Sequence, residues 1–236
     1  MNKCIKIGLV AAAMSAVVPA FAEAEVVEEE EGAVGWTPFA LSIASPVQLP
    51  WGSHEWDVFG INLGIIWSDE AKVYGLGVTG IAAAERDDLK GVKVTALCNW
   101  NSADVYGVRA TLGCNYCGGT EYGWDVGLFA VREAMWGLDL EFVGSYQEEF
   151  HGVQFAGIAN VSKGMSYGAG IAIGCNWADK MYGLDAAIFN YTQELHGFQL
   201  GIVNYADDCQ WGMQIGLVNI IMSNSWPVFP IINFYF

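Results

Sequence analysis

Two consecutive segments near the C-terminus, Gly197-Phe-Gln-Leu-Gly-Ile-Val-Asn204 and Gly212-Met-Gln-Ile-Gly-Leu-Val-Asn219, carry almost the same pattern. Their leading glycine recurs through most of the chain at intervals of 14 to 16 residues, and in eight of eleven units the residue before it is Phe, Tyr or Trp. A fixed period of this kind is the signature of a repeat architecture, in which each unit packs on its neighbours. The eleven repeat glycines are Gly60, Gly75, Gly91, Gly107, Gly123, Gly137, Gly152, Gly168, Gly183, Gly197 and Gly212.

The residues that follow each repeat glycine alternate with a period of two, which indicates β-strands. Counted from that glycine, positions +1 and +3 are apolar in every unit and position +5 is apolar or glycine. Position +2 is polar or glycine, and position +4 is mostly small. Each strand therefore has one continuous apolar face, and the other face supplies a predicted polar zone of a narrow lumen: Asn62, Lys93, Arg109, Asp125, Asp139, Glu141, Gln154, Asp185, Gln199 and Gln214.

The length of the unit favours a membrane barrel. Strands alternate with short polar turns, and the strand part of each unit matches the roughly 9–11 residues of a transmembrane β-strand. Aromatic residues flank the apolar band at both ends, at position −1 and at residues such as Trp67 and Trp100, which is the girdle pattern of outer-membrane barrels. The ending Ile232-Asn-Phe-Tyr-Phe236 resembles the signal read by the outer-membrane insertion machinery. We therefore expect an all-β fold, an antiparallel up-and-down transmembrane β-barrel of about twelve strands.

A parallel β-solenoid, with one repeat per coil, is the alternative architecture. In a solenoid neighbouring repeats stack in register, so Lys93 would lie on Arg109, and Asp125 on Asp139, about 4.8 Å apart. Like charges opposite each other destabilise a sheet, whereas antiparallel strands would place opposite charges at the same level. Uniformly short turns and a motif that looks the same on every strand favour the solenoid, and the charge pattern favours the barrel.

The composition excludes several functional classes. The 236 residues include 10 Lys and Arg against 26 Asp and Glu, a formal net charge of −16, and 53% of the residues are hydrophobic. So few basic residues cannot form the clustered cationic surface that nucleic acids require. A chain so rich in apolar residues is also not disordered. We therefore expect no nucleic-acid partner.

The N-terminal region predicts export. Residues 1–22 carry the three parts of a secretory signal peptide, with Lys3 and Lys6, an apolar stretch and an Ala20-Phe-Ala22 cleavage site. Residues 23–34 are rich in glutamate, and we expect an acidic disordered linker because like charges at this density repel. Residues 35–236 form the predicted repeat-built barrel.

No set of residues points to catalysis or to a metal. His151 and His196 take the aromatic slot of their repeats and are interpreted as interfacial rings. A phospholipase-like site would need a serine at suitable spacing on the same outward face, and none is present. The five cysteines after residue 22 are odd in number, and Cys114 with Cys117 could form a turn disulfide in an oxidising compartment. A thiolate zinc site would need a second close cysteine pair, and the acidic turns lack EF-hand spacing, so we expect no metal and no cofactor.

The units Gly-x-Gln-Leu/Ile-Gly-Ile/Leu-Val-Asn, the lead-in Pro46-Val-Gln-Leu-Pro50 and the ending Pro230-Ile-Ile-Asn233 resemble a family of bacterial exported surface-repeat proteins. The resemblance covers residues 36–236 and is strongest over 150–236. It implies an outer-membrane protein of a Gram-negative cell, with no catalytic residues to carry over.

The expected function is therefore that of a non-enzymatic surface or structural barrel in the outer membrane, with a narrow pore or a filled lumen. Its expected partners are membrane lipid and, through Phe236, the insertion machinery. The alternative is a secreted β-solenoid that acts in adhesion or scaffolding. The sequence does not predict the oligomeric state.

Overall fold

The computed structural model describes residues 35–235 of the chain. The predicted signal peptide (1–22), the predicted acidic linker (23–34) and the terminal Phe236 lie outside the described residues. No helix in the described range is long and apolar enough to cross a membrane. The elements are β1 Trp36–Ala44, β2 Val47–Leu49, a 3₁₀ turn Ser53–Glu55, β3 Asp57–Glu70, β4 Lys72–Thr79, β5 Ala82–Glu85, β6 Leu89–Thr95, β7 Cys98–Asn101, β8 Val105–Thr111, β9 Cys114–Ala156, β10 Ala159–Ala172, β11 Cys175–Ala186, β12 Phe189–Leu200, β13 Val203–Ile221 and β14 Val228–Tyr235.

The repeats are stacked as the coils of a parallel β-solenoid of about ten turns. Each coil has a long strand segment around its repeat glycine and a short one after a corner. In the first coil the residues Asp57–Gly64 pair with β4, and the residues Trp67–Glu70 pair with β5. Throughout the stack the repeat glycines lie opposite one another, for example Gly60 on Gly75. In β9 the strand runs round the corners of three successive coils without interruption.

The predicted antiparallel transmembrane barrel is wrong. The coil-to-coil pairs are parallel, and among the described strands only β1–β2 and β13–β14 pair in the antiparallel sense. The expected number of strands differs as well, because about twelve were expected and residues 35–235 form fourteen. The chain winds around one axis, coil after coil. The narrow interior of these coils takes the place of the predicted barrel lumen.

The repeat glycine fixes how closely the coils approach. Gly107 has φ 144°, a conformation that side chains rarely adopt. A Cβ at Gly107 would overlap the carbonyl oxygen of Gly91 in the preceding coil. The same overlap with the preceding glycine recurs from Gly75 to Gly197. Glycine is therefore required both by the backbone conformation and by the contact between coils.

Like charges on neighbouring repeats were one reason to expect a barrel. In the structure, groups of opposite charge on the facing side of the coil interior neutralise them. Lys93 does lie opposite Arg109, but its ammonium is 2.5 Å from a carboxylate oxygen of Glu85. Arg132 donates to Asp125 at 2.6 Å and forms an ion pair with Asp139, also at 2.6 Å. The sequence argument considered only neighbours along the sheet. In a flattened coil, the short segment reaches over and supplies the missing counter-charge.

The alternation of burial places polar side chains inside and apolar ones outside. At position +2, Asn62, Lys93 and Gln199 are fully buried, whereas the apolar residues beside them are partly or largely exposed. Buried apolar side chains form two clusters, and others, such as Met135 and Phe150, lie in the central coils between them. These clusters are Ala40, Val58, Val73, Leu89, Val105 and Cys117, and Ala178, Met181, Leu195, Ala206, Cys209 and Ile221.

The glycine contact predicts the outcome of a matched pair of substitutions. Gly52 also has a positive φ, of 83°, but a Cβ there would meet nothing within 4 Å. Gly52→Ala should therefore cost only the left-handed strain, about 1–2 kcal/mol. Gly107→Ala adds a backbone clash and should cost several kcal/mol more, or prevent folding. Urea unfolding followed by circular dichroism measures both, and equal losses of stability would contradict the proposed coil contact.

Candidate functional site

The corner between the long and short segments forms an uninterrupted apolar edge, which we call the apolar corner. It comprises two residues per coil, and all of them are apolar or glycine across eleven coils. The most exposed are Leu112 at 77%, Phe142 at 75% and Ile173 at 71%. The apolar corner consists of residues 65–66, 80–81, 96–97, 112–113, 128–129, 142–143, 157–158, 173–174, 187–188, 201–202 and 217–218.

Turns join the short segment of one coil to the long segment of the next, as between β5 and β6. They form the edge opposite the apolar corner, which we call the turn edge, and this edge carries the exposed charge. Among the described residues from 57 onward, every charged side chain that is not buried lies in these turns or directly beside them. Pairs such as Lys72 with Asp87 and Lys180 with Glu194 are formed there, at 2.9 and 3.0 Å. Acidic groups outnumber basic ones, so this edge is negatively charged.

Rows of stacked rings separate the apolar surface from the turn edge on both faces. Position −1 of successive coils forms one row, in which Tyr167 stacks on Tyr182 with centroids 4.4 Å apart. Lys90 takes the same slot in its coil, with its ammonium 5.2 Å from the rings of both neighbours. The other face has a matching row, which includes Trp177 and Tyr191 at 4.1 Å. Because the rings cover one another's faces, they present their edges outward.

Two of the three histidines, His151 and His196, belong to this ring system. His151 stacks on Trp136 at 3.8 Å and on Tyr167 at 4.8 Å. His196 lies 3.0 Å from a carboxylate oxygen of Glu194. No hydrogen bond joins a histidine to a serine among residues 35–235, so the geometry of the described chain offers no serine–histidine pair.

The interior is held by a ladder of asparagine amides that sequence reasoning did not identify. Asn176, Asn190 and Asn204 each donate to the next asparagine along the axis, at 2.8 to 3.1 Å. Each also donates to a main-chain carbonyl, as from Asn190 to Leu200 at 2.8 Å. The amides therefore satisfy buried carbonyls at the corner and join neighbouring coils. The recurrence of asparagine seven or eight residues after a repeat glycine was the available signal. The ladder residues are Asn99, Asn115, Asn160, Asn176, Asn190, Asn204 and Asn219.

In the central coils the ladder gives way to a buried ionic cluster. Arg109 donates to Glu121 at 2.5 Å and to Asp125 at 3.2 Å. Arg132 donates to Glu121 at 2.9 Å, in addition to its bonds to Asp125 and Asp139. Although burial opposes ionisation, the two arginines hold the pKa of Glu121 below its ordinary value. Burial and the charge of Glu121 raise the pKa of Asp125 to about 8.

Glu141 joins this cluster without a counter-charge of its own. It is 3% exposed, and neither carboxylate oxygen has a hydrogen-bond partner. Burial, together with the neighbouring Asp125 and Asp139, raises the pKa of Glu141 to about 10. Sequence reasoning placed Glu141 on the inner face but did not bring in Arg132 or Glu121, which reach the cluster from other segments of the coil.

The structure buries every residue of the predicted polar zone, but in a solenoid interior rather than in a barrel lumen. Arg109, Asp125, Asp139 and Glu141 meet in the ionic cluster. The other members are dispersed along the axis, as in the hydrogen bond of 2.8 Å from Gln214 to Gln199. The ten residues Asn62, Lys93, Arg109, Asp125, Asp139, Glu141, Gln154, Asp185, Gln199 and Gln214 are all at most 3% exposed.

The predicted pairing of Cys114 with Cys117 does not fit the structure. Cys117 points inward, against the carbonyl of Ala103, whereas Cys114 lies on the outer face. There the Cys114 sulfur is 2.7 Å from that of Cys98 in the preceding coil. The five described cysteines are all free thiols.

Comparison with known proteins returned nothing: no family model matches the chain, and no curated protein and no solved structure is similar to it. The resemblance to exported surface-repeat proteins therefore stays a prediction from the sequence.

Burial of Asp185 predicts a specific dependence of stability on pH. Burial raises its pKa from 3.8 to about 7, so the folded protein binds a proton more tightly than the unfolded chain. The native state therefore loses stability as pH rises from about 4 to 7. Asp185→Asn should remove this loss, with a relative gain that grows to about 4 kcal/mol and is constant above pH 7.

Chemical denaturation at several pH values measures this gain. Glu149→Gln, which changes an exposed carboxylate on the turn edge, is the matched control and should show no such trend. A gain for Asp185→Asn that does not vary with pH would contradict the assignment.

The proximity of Cys98 and Cys114 predicts a disulfide between coils on oxidation. Parallel neighbours in register lie about 4.8 Å apart, within the range that a disulfide spans. Treatment with a mild oxidant should link Cys98 to Cys114 and leave Cys117 reduced, as read by peptide mapping without reductant. Recovery of a Cys114–Cys117 peptide as the main product would contradict the observed placement.

Proposed function

We propose that the protein is an exported, non-catalytic β-solenoid scaffold that lies along a lipid surface. The apolar corner enters the acyl chains, and the turn edge stays in water. The observation that carries this proposal is the separation of the two edges, because eleven successive coils keep one edge free of polar side chains and the other edge charged. A chain that functions wholly in water has no reason to keep such a separation.

The size of the apolar surface supports a macroscopic partner. From position −1 to +5 a strand extends about 20 Å, and eleven coils extend about 50 Å along the axis. One face therefore covers on the order of 1,000 Å², beyond the few hundred Å² of the largest patch on an ordinary monomer. A lipid surface accommodates a long, straight edge of this kind without a matching shape.

The order of residue types from corner to turn follows the profile of a membrane interface. Isoleucine, leucine and phenylalanine lie at the corner, rows of Tyr, Trp and His come next, and carboxylates lie farthest away. Tyr and Trp favour the boundary between hydrocarbon and head groups. Lys90 lies in the ring row, where its alkyl chain can remain among the rings while its ammonium extends toward water.

Two other uses of the surface receive less support. The stacked rings expose their edges, whereas a sugar stacks on the face of an aromatic ring, so the rows are poor platforms for a polysaccharide. A pore is not supported either, because the coil interior is filled by the asparagine ladder and the ionic cluster.

The net charge of −16 specifies which lipids should bind. Because the attraction is apolar, binding to zwitterionic phosphatidylcholine vesicles should change little with salt. Vesicles rich in anionic lipid should bind less well at low ionic strength, since the charge of the turn edge repels them.

Flotation of the purified protein with phosphatidylcholine vesicles tests the proposal. The triple variant Leu112→Glu, Phe142→Glu, Ile173→Glu should reduce the bound fraction at least tenfold. These side chains are at least 71% exposed, so thermal stability should be nearly unchanged. The control Ser102→Glu with Lys163→Glu adds the same three negative charges at the turn edge and should still float.

Two results would overturn the proposal. One is a wild-type protein that stays monomeric in lipid-free buffer and does not float. The other is a lipid-independent oligomer that the corner variant dissociates, which would assign the apolar corner to a second copy of the chain.

A further inference from the structure

The ionic cluster of the central coils contains more negative than positive groups. Its basic members are Arg109 and Arg132, and its acidic members are Glu121, Asp125 and Asp139, together with Glu141. With every group ionised, the cluster carries an excess of two negative charges in an interior without access to bulk water. An excess of this kind inside a protein must be neutralised by protons or by a bound cation.

Three of these carboxylates converge on one point. Oxygen atoms of Asp125, Asp139 and Glu141 all lie within 4.8 Å of one another, and all three residues are buried. Metal-to-oxygen distances of about 2.0–2.6 Å allow one cation to contact three oxygens at such separations. Arg132 occupies one oxygen each of Asp125 and Asp139, so it fixes their orientation.

The position of Glu141 is the second observation that points to a ligand. Its two oxygens lack hydrogen-bond partners in a side chain that is 97% buried, and each unmet acceptor of this kind is costly. Gly127 of the preceding coil leaves the room for it, since a Cβ there would come within 2.9 Å of Glu141 Oε2 and 3.0 Å of the Asn115 amide nitrogen. Glycine at position 127 thus leaves room in the interior for the carboxylate of Glu141, which has no hydrogen-bond partner.

Glu141 also lines a groove on the outer face of the coils. A groove of about 480 Å³ opens on the outer face, lined by apolar residues that include Phe155 and Ile171, and Glu141 is its one charged lining residue. Glu141 therefore belongs both to the groove and to the group of three carboxylates. The three carboxylates supply the oxygen ligands that a hard cation requires.

We propose that Asp125, Asp139 and Glu141 bind one hard divalent cation, of the class of Mg²⁺, Ca²⁺ or Mn²⁺, inside the central coils. Three carboxylates and no nitrogen or sulfur ligand select this class of ion. One dication cancels the two excess negative charges and supplies Glu141 with the partner that it lacks. The ion would then join two successive coils of the solenoid, those of Gly123 and Gly137, and contribute to its stability. This proposal is independent of lipid binding.

The test compares the wild-type chain with Glu141→Gln, which keeps the shape of the side chain and removes its charge. Each protein is treated with a chelator, dialysed against Mg²⁺, Ca²⁺ or Mn²⁺ in turn and freed of loose ions, and bound metal is measured by mass spectrometry. The wild type should retain one ion per chain and show a higher Tm with that ion than with chelator. Glu141→Gln should lose at least about tenfold in affinity and lose the ion-dependent part of Tm.

A turn-edge control separates the buried site from the exposed carboxylates. Asp207→Asn with Asp208→Asn removes two acidic groups from the turn edge and should retain the ion. If Glu141→Gln fails to fold, the luminescence lifetime of Tb³⁺ bound to the wild type, in H₂O and in D₂O, replaces it. A buried site leaves few water molecules on the ion, whereas a site at the turn edge leaves most of them.

Three outcomes would overturn the proposal. The first is a wild type that retains no ion and has the same Tm with and without chelator, in which case the cluster is neutralised by protons. The second is equal ion retention by Glu141→Gln, and the third is a hydrated Tb³⁺ ion.

Discussion

The contact between glycines of successive coils is the constraint on which the rest of this structure depends. A main-chain carbonyl occupies the space that a Cβ would fill at nearly every repeat glycine, so the coils are held in one register. Once the register is set, every position falls on its equivalent in the next coil. Rings then stack on rings, amides on amides, and apolar corner residues on one another. The repeat in the sequence becomes a set of parallel rows in the structure.

These rows invert the usual arrangement of a soluble protein. A flattened coil has a narrow interior, and here much of it is filled by amides and ion pairs that bond along the axis and across it. Hydrogen bonds stabilise this interior. In water the same polar groups can bond to solvent instead, so each internal hydrogen bond adds only a small net stability. The apolar side chains are left outside, where they gain little unless another apolar phase covers them. The lipid contact that we propose would cover these exposed side chains.

Much of this could be predicted from the sequence. The period of two, the outward apolar face and the buried position of Asp125 or Gln199 follow from alternation alone. The direction of the strands did not follow, because alternation is the same in a barrel and in a solenoid. The charge argument failed for a specific reason. Arg132 lies on the short segment, and its reach to both Asp125 and Asp139 depends on a corner whose angle no local pattern encodes.

The central coils show why such a cluster persists in a regular array. Asparagine could continue the ladder at Ala130 and Ser145. Neutral side chains at the cluster positions, like Gln199 and Gln214 in later coils, would avoid the desolvation of six charged groups. Replacing ion pairs by neutral packing is often stabilising, so the cluster is not explained by stability alone. Its excess of carboxylates lies beside Gly127, which leaves room for the side chain of Glu141, and Glu141 also lines the outer groove. The central coils thus replace the neutral interior side chains of the other coils by charged residues that contact one another. Such a local departure from the repeat is more consistent with a binding site than with random drift.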